Sequence, residues 1–261
     1  MDVLVILFVA IWLLLAGLQW RSGLLPLRRF RSNRLAVLSA VSVMMLSAGT
    51  LIVVLCFWSA DDVRWDAGEV IFYFVFALAW VVLAQFGFAL LGISLRDDVA
   101  ERANSAAGFA LNGYTLGVTF CIAGANVGNG PGFEIVLFCT GLATAALLLL
   151  WVLFHIATGA ADMITIERDL GMGIRTGGWL AGTGLVLGAS VAGDWTSTLS
   201  TLHDFVRYTW PVFLLSALLA ILERAINLRV PSTRPSGGVS AVLAAAVFAA
   251  CAAYAKWVSL R

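Results

Sequence analysis

The most informative segment of the sequence is Asn104–Gly128, NSAAGFALNGYTLGVTFCIAGANVG. A related segment, Asp169–Gly193, DLGMGIRTGGWLAGTGLVLGASVAG, follows it at an offset of 65 residues. Each is apolar and about as long as the ~20 residues that cross the hydrocarbon core of a bilayer. The two segments therefore predict a pair of related membrane helices. Five positions match at that single offset, namely Asn104 with Asp169, Gly108 with Gly173, Gly113 with Gly178, Gly117 with Gly182 and Gly128 with Gly193.

The amino-acid composition is typical of a membrane protein. Of its 261 residues, 61% are hydrophobic and only 12% are charged, whereas soluble domains carry about 25% charged residues. The mean hydropathy is +0.97. The net charge of +1 gives no basic stripe of the kind that binds nucleic acid, so a nucleic-acid partner is not expected.

Eight apolar segments are visible along the chain. Backbone polar groups in lipid must be satisfied within their own segment, so these segments predict helices. We therefore expect an all-α fold, a polytopic membrane helical bundle of about eight transmembrane helices. The segments are 3–18, 35–58, 70–95, 105–125, 133–158, 170–192, 205–222 and 239–258.

The loops predict the orientation. The chain starts Met1-Asp2, without the positive charges that open a signal peptide, so the first segment is interpreted as a retained helix. Twelve of the sixteen basic residues fall on one side of the predicted bundle, which the positive-inside rule assigns to the cytoplasm. An acidic cluster falls on the other side. Both termini are then expected outside the cytoplasm. The cluster consists of Asp61, Asp62, Asp66 and Glu69.

The offset of 65 residues spans two helices and two loops, so the repeated unit is a hairpin with a constant orientation. We predict one transmembrane domain over 1–261, with repeat hairpins at 70–130 and 131–195. The hairpins at 1–60 and 200–261 are interpreted as possible diverged copies. Repeats of this kind are parallel, related by an axis along the membrane normal. Asn104 and Asp169 are predicted N-caps, since their side chains accept free N–H groups at a helix start.

The pattern Asn-x-Ala-Ala-Gly-x4-Gly-x3-Gly in Asn104–Gly117, with its related copy in Asp169–Gly182, resembles the YjfL-like inner-membrane family. The resemblance covers roughly residues 70–195. The second copy departs from the pattern, with Asp169-Leu170-Gly171-Met172 at its start. The resemblance implies a location in the bacterial inner (plasma) membrane. It implies no activity, because the family is named as one of unknown function.

Glycines on the fourth segment predict a packing seam. At 100° per residue Gly113, Gly117, Gly124 and Gly128 share one face, and small residues at such spacing let helix backbones approach closely. We expect this seam between the two repeats or between two protomers. The corresponding face of the sixth segment carries Gly178, Gly182, Ala189 and Gly193.

A second face of the fourth segment is polar. Asn112, Thr115 and Thr119 share it with Gly108 and Ala123. One interpretation is interhelical packing, through hydrogen bonds worth about 0.6 kcal/mol each. The other is a narrow polar pathway. The matching face of the sixth segment is mostly bare, with Gly173, Gly177, Leu180, Gly184 and Gly188.

Few other residues of the apolar segments are candidates for a binding or catalytic role. Arg175 is expected either to snorkel to the cytoplasmic surface or to hold an anion inside the bundle. Gln85 and His155 are interpreted as packing contacts, with membership of a polar relay as the alternative, and His203-Asp204 as an outer-surface pair. No metal site is expected, because the chain has two histidines and no CxxC. The four cysteines, interpreted as small buried hydrophobes, are Cys56, Cys121, Cys139 and Cys251.

The sequence thus predicts a membrane component that is not an enzyme and uses no cofactor. Glycine strings such as Gly171-x-Gly173 lie within a membrane helix, not after a strand, so nucleotide binding is not expected. The favoured function is an oligomeric scaffold whose partners are the lipid bilayer, further copies of itself, and a cytoplasmic protein or anionic lipid at the Arg-rich loops. The alternative is a channel or transporter for a small solute or ion, using the stripe of Asn112, Thr115 and Thr119.

Overall fold

The computed structural model describes residues 34–130, 132–228 and 234–260, together with Ala10, Leu14 and Gly17. The regular elements of this described part are all helical. A π-helical turn, Leu95–Glu101, precedes α4. The α-helices are α1 (Arg34–Phe57), α2 (Asp61–Arg64), α3 (Ala67–Leu90), α4 (Ser105–Ala125), α5 (Phe133–Thr158), α6 (Ala160–Thr165), α7 (Leu170–Val191), α8 (Thr198–Asn227) and α9 (Gly237–Ser259).

Six of these helices are long and apolar enough to cross a bilayer, namely α1 (from Leu38), α3, α4, α5, α8 and α9. They are compatible with a multi-pass membrane protein. The sixth predicted segment forms α7, which is not among the six because its glycines, threonines and Arg175 make it less apolar. The first predicted segment, 3–18, lies outside the described residues apart from three isolated positions. The count of eight spans therefore stays a prediction.

Two helices differ in extent from the sequence prediction. The seventh predicted segment, 205–222, is extended at both ends, so that Pro211 lies well inside α8. Membrane helices tolerate an internal proline because neighbouring groups satisfy the freed backbone atoms. The third predicted segment ends at Leu90 instead of Leu95, because Gly92 adopts a positive φ of 110° and turns the chain.

The long helices form two layers. The inner layer is a row in the order α1, α4, α7, α9, and α4 and α7 lie at its centre. Its helices run in one direction, since their contacts advance together along the chain: Ser39 lies by Asn112 and Ser47 by Thr119. The outer layer crosses in the opposite direction. In it, α3 packs on α1 and α4, α5 on α4 and α7, and α8 on α7 and α5.

The exposed surface of these helices is apolar, which is the arrangement that lipid requires. Soluble proteins rarely expose apolar patches larger than a few hundred Å². Here the outward-facing positions of all six candidate spans carry large hydrophobic side chains. Examples are Met45 and Phe57 of α1, Ile71 of α3, Phe109 of α4, Leu153 and Ile156 of α5, Val206 and Ile221 of α8, and Val242 of α9.

Equivalent positions of the two predicted repeats share backbone features. Ala103 and Arg168, each just before an N-cap, have φ values of 53° and 55°, which non-glycine residues seldom adopt. Gly128 and Gly193, just after α4 and α7, have φ values of 103° and 124°. Both α4 and α7 are therefore flanked by residues with the same positive-φ conformation, whereas their C-caps differ, since Asn126 has a ψ of 5° and Ala192 a ψ of 145°. We define the end where the inner helices begin as the Arg-rich end, and the other as the acidic end.

Candidate functional site

The centre of the molecule is a contact between the bare backbones of α4 and α7. A Cβ added at Gly113 would overlap the Gly177 backbone, and one at Gly124 would overlap that of Gly188. At Gly117 it would lie 2.6 Å from the Leu180 carbonyl oxygen. Cβ atoms essentially never come this close to backbone, so only glycine fits these positions. This contact leaves no space between the two central helices.

The structure corrects the predicted pairing of the glycine faces. Gly178 and Gly182 do not face α4. They face α9, where added Cβ atoms would lie 2.6 Å from the Ala244 Cβ and 3.0 Å from the Cys251 Cβ. Neighbours that run parallel in a row present unlike faces to each other, as in any head-to-tail contact. The α7 face that meets α4 is the other one, with Gly173, Gly177, Gly184 and Gly188.

Only at the acidic end do equivalent glycines meet. A Cβ added at Gly128 would overlap the Gly193 backbone. The Gly193 N–H donates to the Val127 carbonyl at 2.9 Å, and the Gly128 N–H donates to the Trp58 carbonyl at 3.2 Å. Each connection after an inner helix is thus tied to the connection before it in the row.

The polar stripe of α4 contacts α1 and α3. Asn112 Nδ2 donates to Ser39 Oγ at 3.4 Å, and Thr119 Oγ1 lies 2.8 Å from Ser47 Oγ. Thr115 Oγ1 accepts from Gln85 Nε2 of α3 at 2.9 Å. All three stripe residues therefore have a polar partner on a neighbouring helix.

Thr115 and Thr119 are also bonded within α4. Their hydroxyls donate to the carbonyls four residues earlier, Leu111 and Thr115, at 2.8 Å each. His155 of α5 likewise has local partners, since its Nδ1 accepts the Ala161 N–H at 3.2 Å. Its ring stacks on Trp151 with centroids 6.1 Å apart.

Arg175 is held inside the bundle, so the expectation that it snorkels to the surface is wrong. It is 7% exposed. Its Nε and Nη2 donate to the two carboxylate oxygens of Glu223 at 2.5 and 2.7 Å. Its Nη1 donates to Ser240 Oγ at 2.6 Å. A fork-to-fork pair of this kind is charge-assisted and fixes direction. One side chain thereby joins α7, α8 and α9.

Glu223 is not recognisable as a site residue from the sequence, because the apolar run ends at Leu222. In the structure α8 continues to Asn227, so Glu223 is still helical and only 2% exposed. The sequence position of Ser240 did indicate that it could contact Arg175. It lies 65 residues after Arg175, close to the separation of other contacting inner-helix residues such as Gly113 and Gly177. The anion that Arg175 holds is thus a carboxylate of the same chain.

The residues around this ion pair leave space for the guanidinium and pack closely beside it. A Cβ at Gly171 would lie 2.8 Å from Ser240 Oγ and 2.9 Å from Arg175 Nη1, so glycine makes room for the guanidinium. One turn further along α7, Trp179 Nε1 donates to Ser216 Oγ at 3.0 Å. The Trp179 ring stacks on Phe154 with centroids 4.4 Å apart. A cavity of about 40 Å³ lies beside the pair.

The N-caps connect successive hairpins at the Arg-rich end. Asn104 Oδ1 accepts the N–H groups of Ala106 and Ala107, and its Nδ2 donates to the Ile164 carbonyl at 2.7 Å. Asp169 Oδ1 accepts the Met172 N–H at 2.9 Å.

The cap at Asp169 also holds the next connection. Its Oδ2 accepts from Arg234 at 3.3 Å, and Arg234 also donates to Glu167 Oε2 at 2.8 Å. The hydrogen bond that Arg234 donates to Glu167 raises the pKa of Arg234 above its ordinary value.

Cysteines and candidate metal ligands are dispersed. Cys121, Cys139 and Cys251 are buried free thiols, whereas Cys56 is exposed on α1, unlike the buried position predicted for it. Within the described ranges no three His, Cys, Asp or Glu side chains are grouped closely enough to hold a metal ion.

The fold and these contacts are those of an all-helical protein. Its six long apolar helices are compatible with multiple membrane passes. Comparison with known proteins found no matching family model, no matching curated protein and no matching solved structure.

Proposed function

We propose that the chain is a non-enzymatic structural component of a membrane. In this proposal the row α1, α4, α7 and α9 is a rigid scaffold that holds the loops of its two ends at fixed positions. The observation that carries the proposal is the backbone contact between α4 and α7, where Gly113 and Gly124 meet Gly177 and Gly188. Helices in lipid associate through such close packing and through interhelical hydrogen bonds.

The polar groups at the centre support the same function. Asn112, Thr115 and Thr119 have partners on α1 and α3, and Arg175 is neutralised by Glu223. Groups used in this way stabilise neighbouring helices. The alternative, a channel or transporter using the stripe, requires the same three side chains to face a passage. Their contacts favour the packing interpretation.

We further propose that 70–130 and 131–195 are parallel repeats within one domain, with 1–60 and 200–261 as diverged copies. The matched caps Asn104 and Asp169 and the matched positive φ values after α4 and α7 support this proposal. The bacterial inner membrane, with the Arg-rich end in the cytoplasm, is part of the proposal. It rests on the resemblance to the YjfL-like family and on the distribution of arginines.

The homo-oligomer is also a proposal, and the contacts limit its surface. The glycine faces of α4 and α7 are used within the chain, so protomers would have to meet elsewhere. The exposed apolar sides of α1 and α9, with Met45 and Val242, are available in the described structure. At the Arg-rich end, Arg168 is an exposed cation that an anionic lipid or a cytoplasmic protein would contact.

The scaffold proposal is tested by reconstituting the full chain in liposomes and measuring permeation of small ions and solutes. We expect no flux above that of empty liposomes. Flux that Asn112→Leu abolishes, while the variant retains its melting temperature, would replace the scaffold with the transport function. Light scattering of the same protein in detergent measures the mass, and a monomer would remove oligomerisation from the proposal.

A further inference from the structure

A polar cavity of about 110 Å³ lies at the acidic end of the molecule. It lies where the connections after α1, α4 and α7 approach one another, beside the first turns of α8. Each liquid water occupies about 30 Å³, so the cavity has room for several waters or one small ligand. We call it the outer cavity. The residues used below are Asp62, Tyr73, Asn126, Asp194 and Asp204, all of which line it.

The mouth of the outer cavity is negatively charged. Asp62, Asp194 and Asp204 line it, and the described lining includes no Lys or Arg. One oxygen of Asp194 accepts the Asn129 N–H at 2.8 Å, and one oxygen of Asp62 accepts the Val63 N–H at 3.1 Å. The second oxygen of each has no hydrogen-bond donor among the described residues. These carboxylates therefore attract a cation and can accept hydrogen bonds from it.

The floor of the outer cavity holds polar atoms that lack a partner. Tyr73 and Asn126 are each only 7% exposed. The Asn126 amide donates to the Ile122 carbonyl at 2.8 Å, which leaves its Oδ1 without a donor in the described part of the chain. The Tyr73 hydroxyl makes no hydrogen bond to any described residue. The two side chains are otherwise buried, but these two atoms are not fully enclosed, so they can accept N–H or O–H groups from water or from a ligand in the cavity.

We propose that the outer cavity binds a small organic ammonium ion that carries a primary amino group. The ammonium supplies three N–H donors and a positive charge. The mouth carboxylates balance the charge, and Asn126 Oδ1 and the Tyr73 hydroxyl accept N–H groups at the floor.

A bare metal ion fits the outer cavity less well. The described residues contain no group of three His, Cys, Asp or Glu side chains close enough to share a metal. A metal needs its oxygen ligands at 2.0–2.6 Å, whereas an alkylammonium reaches acceptors that are farther apart. A quaternary ammonium has the charge but no N–H donor, so it distinguishes hydrogen bonding from charge alone.

The test is calorimetric titration of the full chain, in nanodiscs of neutral phosphatidylcholine, with the diamine putrescine. We expect saturable binding that tetramethylammonium does not compete for at equal concentration. Asp194→Asn keeps the acceptor for the Asn129 N–H and removes the charge, so it should weaken binding at least about tenfold. Tyr73→Phe removes only the hydroxyl and should weaken binding by about threefold to tenfold.

The matched control is Asp97→Asn, which removes an exposed carboxylate at the opposite end and should leave the affinity unchanged. Melting temperatures of all variants check the fold, and Asp62→Asn replaces Asp194→Asn if that variant does not fold. Absence of binding to the native chain overturns the proposal. So does equal binding of tetramethylammonium, calcium binding with the same variant dependence in place of putrescine, or an equal loss in Asp97→Asn.

Discussion

The two sides of α7 are held to their neighbours by opposite means. Toward α4 the helix presents glycines, and the contact is backbone against backbone with no side chain between, as at Gly184 against Gly117. Toward α8 it presents Arg175, whose guanidinium donates to Glu223 and also reaches Ser240 at the start of α9. Farther along α9 the contact is again made by glycines of α7, Gly178 and Gly182. The contact with α4 depends on the lack of side chains at the facing glycines. The other is defined by a charge and its partners.

The two interfaces tolerate different substitutions. At the α4 side any added atom must displace backbone, so the size of the side chain decides the outcome and its polarity matters little. At Arg175 the volume is already occupied, and the outcome depends on whether a buried charge keeps its counter-charge. Substitutions that separate size from charge therefore test whether the two interfaces work as described.

The largest effect is expected from Gly184→Leu. An added Cβ would overlap the backbone of Gly117, and overpacking that cannot be relieved by rotating a side chain costs at least about 3 kcal/mol. We expect little folded protein in detergent, measured by size-exclusion chromatography. Gly49→Leu is the control, because nothing lies within 4 Å of its added Cβ. A Gly184→Leu protein with native elution and melting temperature would contradict the backbone contact.

Glu223→Gln should have the next largest effect. It keeps the size of the side chain and removes the charge that neutralises Arg175, and breaking one partner of a buried pair costs about 3–5 kcal/mol. Thermal unfolding in detergent measures the loss. Arg96→Gln is the control, since its pairs with Asp97 and Glu101 are exposed and such pairs contribute at most about 1 kcal/mol.

The double variant Arg175→Met with Glu223→Leu sharpens that result. It removes both charges and fills similar volume, and such replacements are often neutral or stabilising. We expect the double variant to melt above the single Glu223→Gln variant. If the double variant is the less stable, the ion pair is not the reason for the loss, and the polar interface would need another explanation.

These two interfaces also show what the sequence could predict. Glycine spacing predicted that α4 and α7 approach a neighbour closely, because that signal is local to one helix. It did not predict which face meets which neighbour, since this depends on how the row is ordered in space. The glycine pattern therefore predicts Gly178 and Gly182 in a seam between the two repeats or between two protomers, whereas in the structure they lie against α9.

The ion pair between Arg175 and Glu223 was not predicted from the sequence, for a different reason. Arg175 was identified as a charge within an apolar helix, but its partner Glu223 follows an apolar run and is adjacent to Arg224, so it resembled a loop residue. Burial of Glu223 follows from the extra turn of α8, which ends at Asn227. A helix end cannot be located to within one turn from hydropathy alone.

Trp179→Phe is expected to have a smaller effect at the polar side of α7. It removes the hydrogen bond from Nε1 to Ser216 Oγ at 3.0 Å and keeps a ring beside Phe154. The lost hydrogen bond contributes about 0.5–1.5 kcal/mol, with a further loss from the smaller ring. Thermal unfolding measures it, with Trp65→Phe as the control because Trp65 is 84% exposed. Equal melting temperatures for the two variants would show that the contact with α8 contributes nothing.

The smallest effect is expected from Asn112→Leu, on the side of α4 that meets α1. Its hydrogen bond to Ser39 Oγ is long, at 3.4 Å, and interhelical bonds in membranes contribute about 0.6 kcal/mol on average. A leucine is also more favourable in lipid than an amide, so the melting temperature should change by only a few degrees in either direction. Because the substitution perturbs the fold so little, it separates packing from conduction. If the stripe only packs, the permeation of ions and solutes is the same for the variant and the native chain, and a change confined to permeation would mean that Asn112 faces a passage.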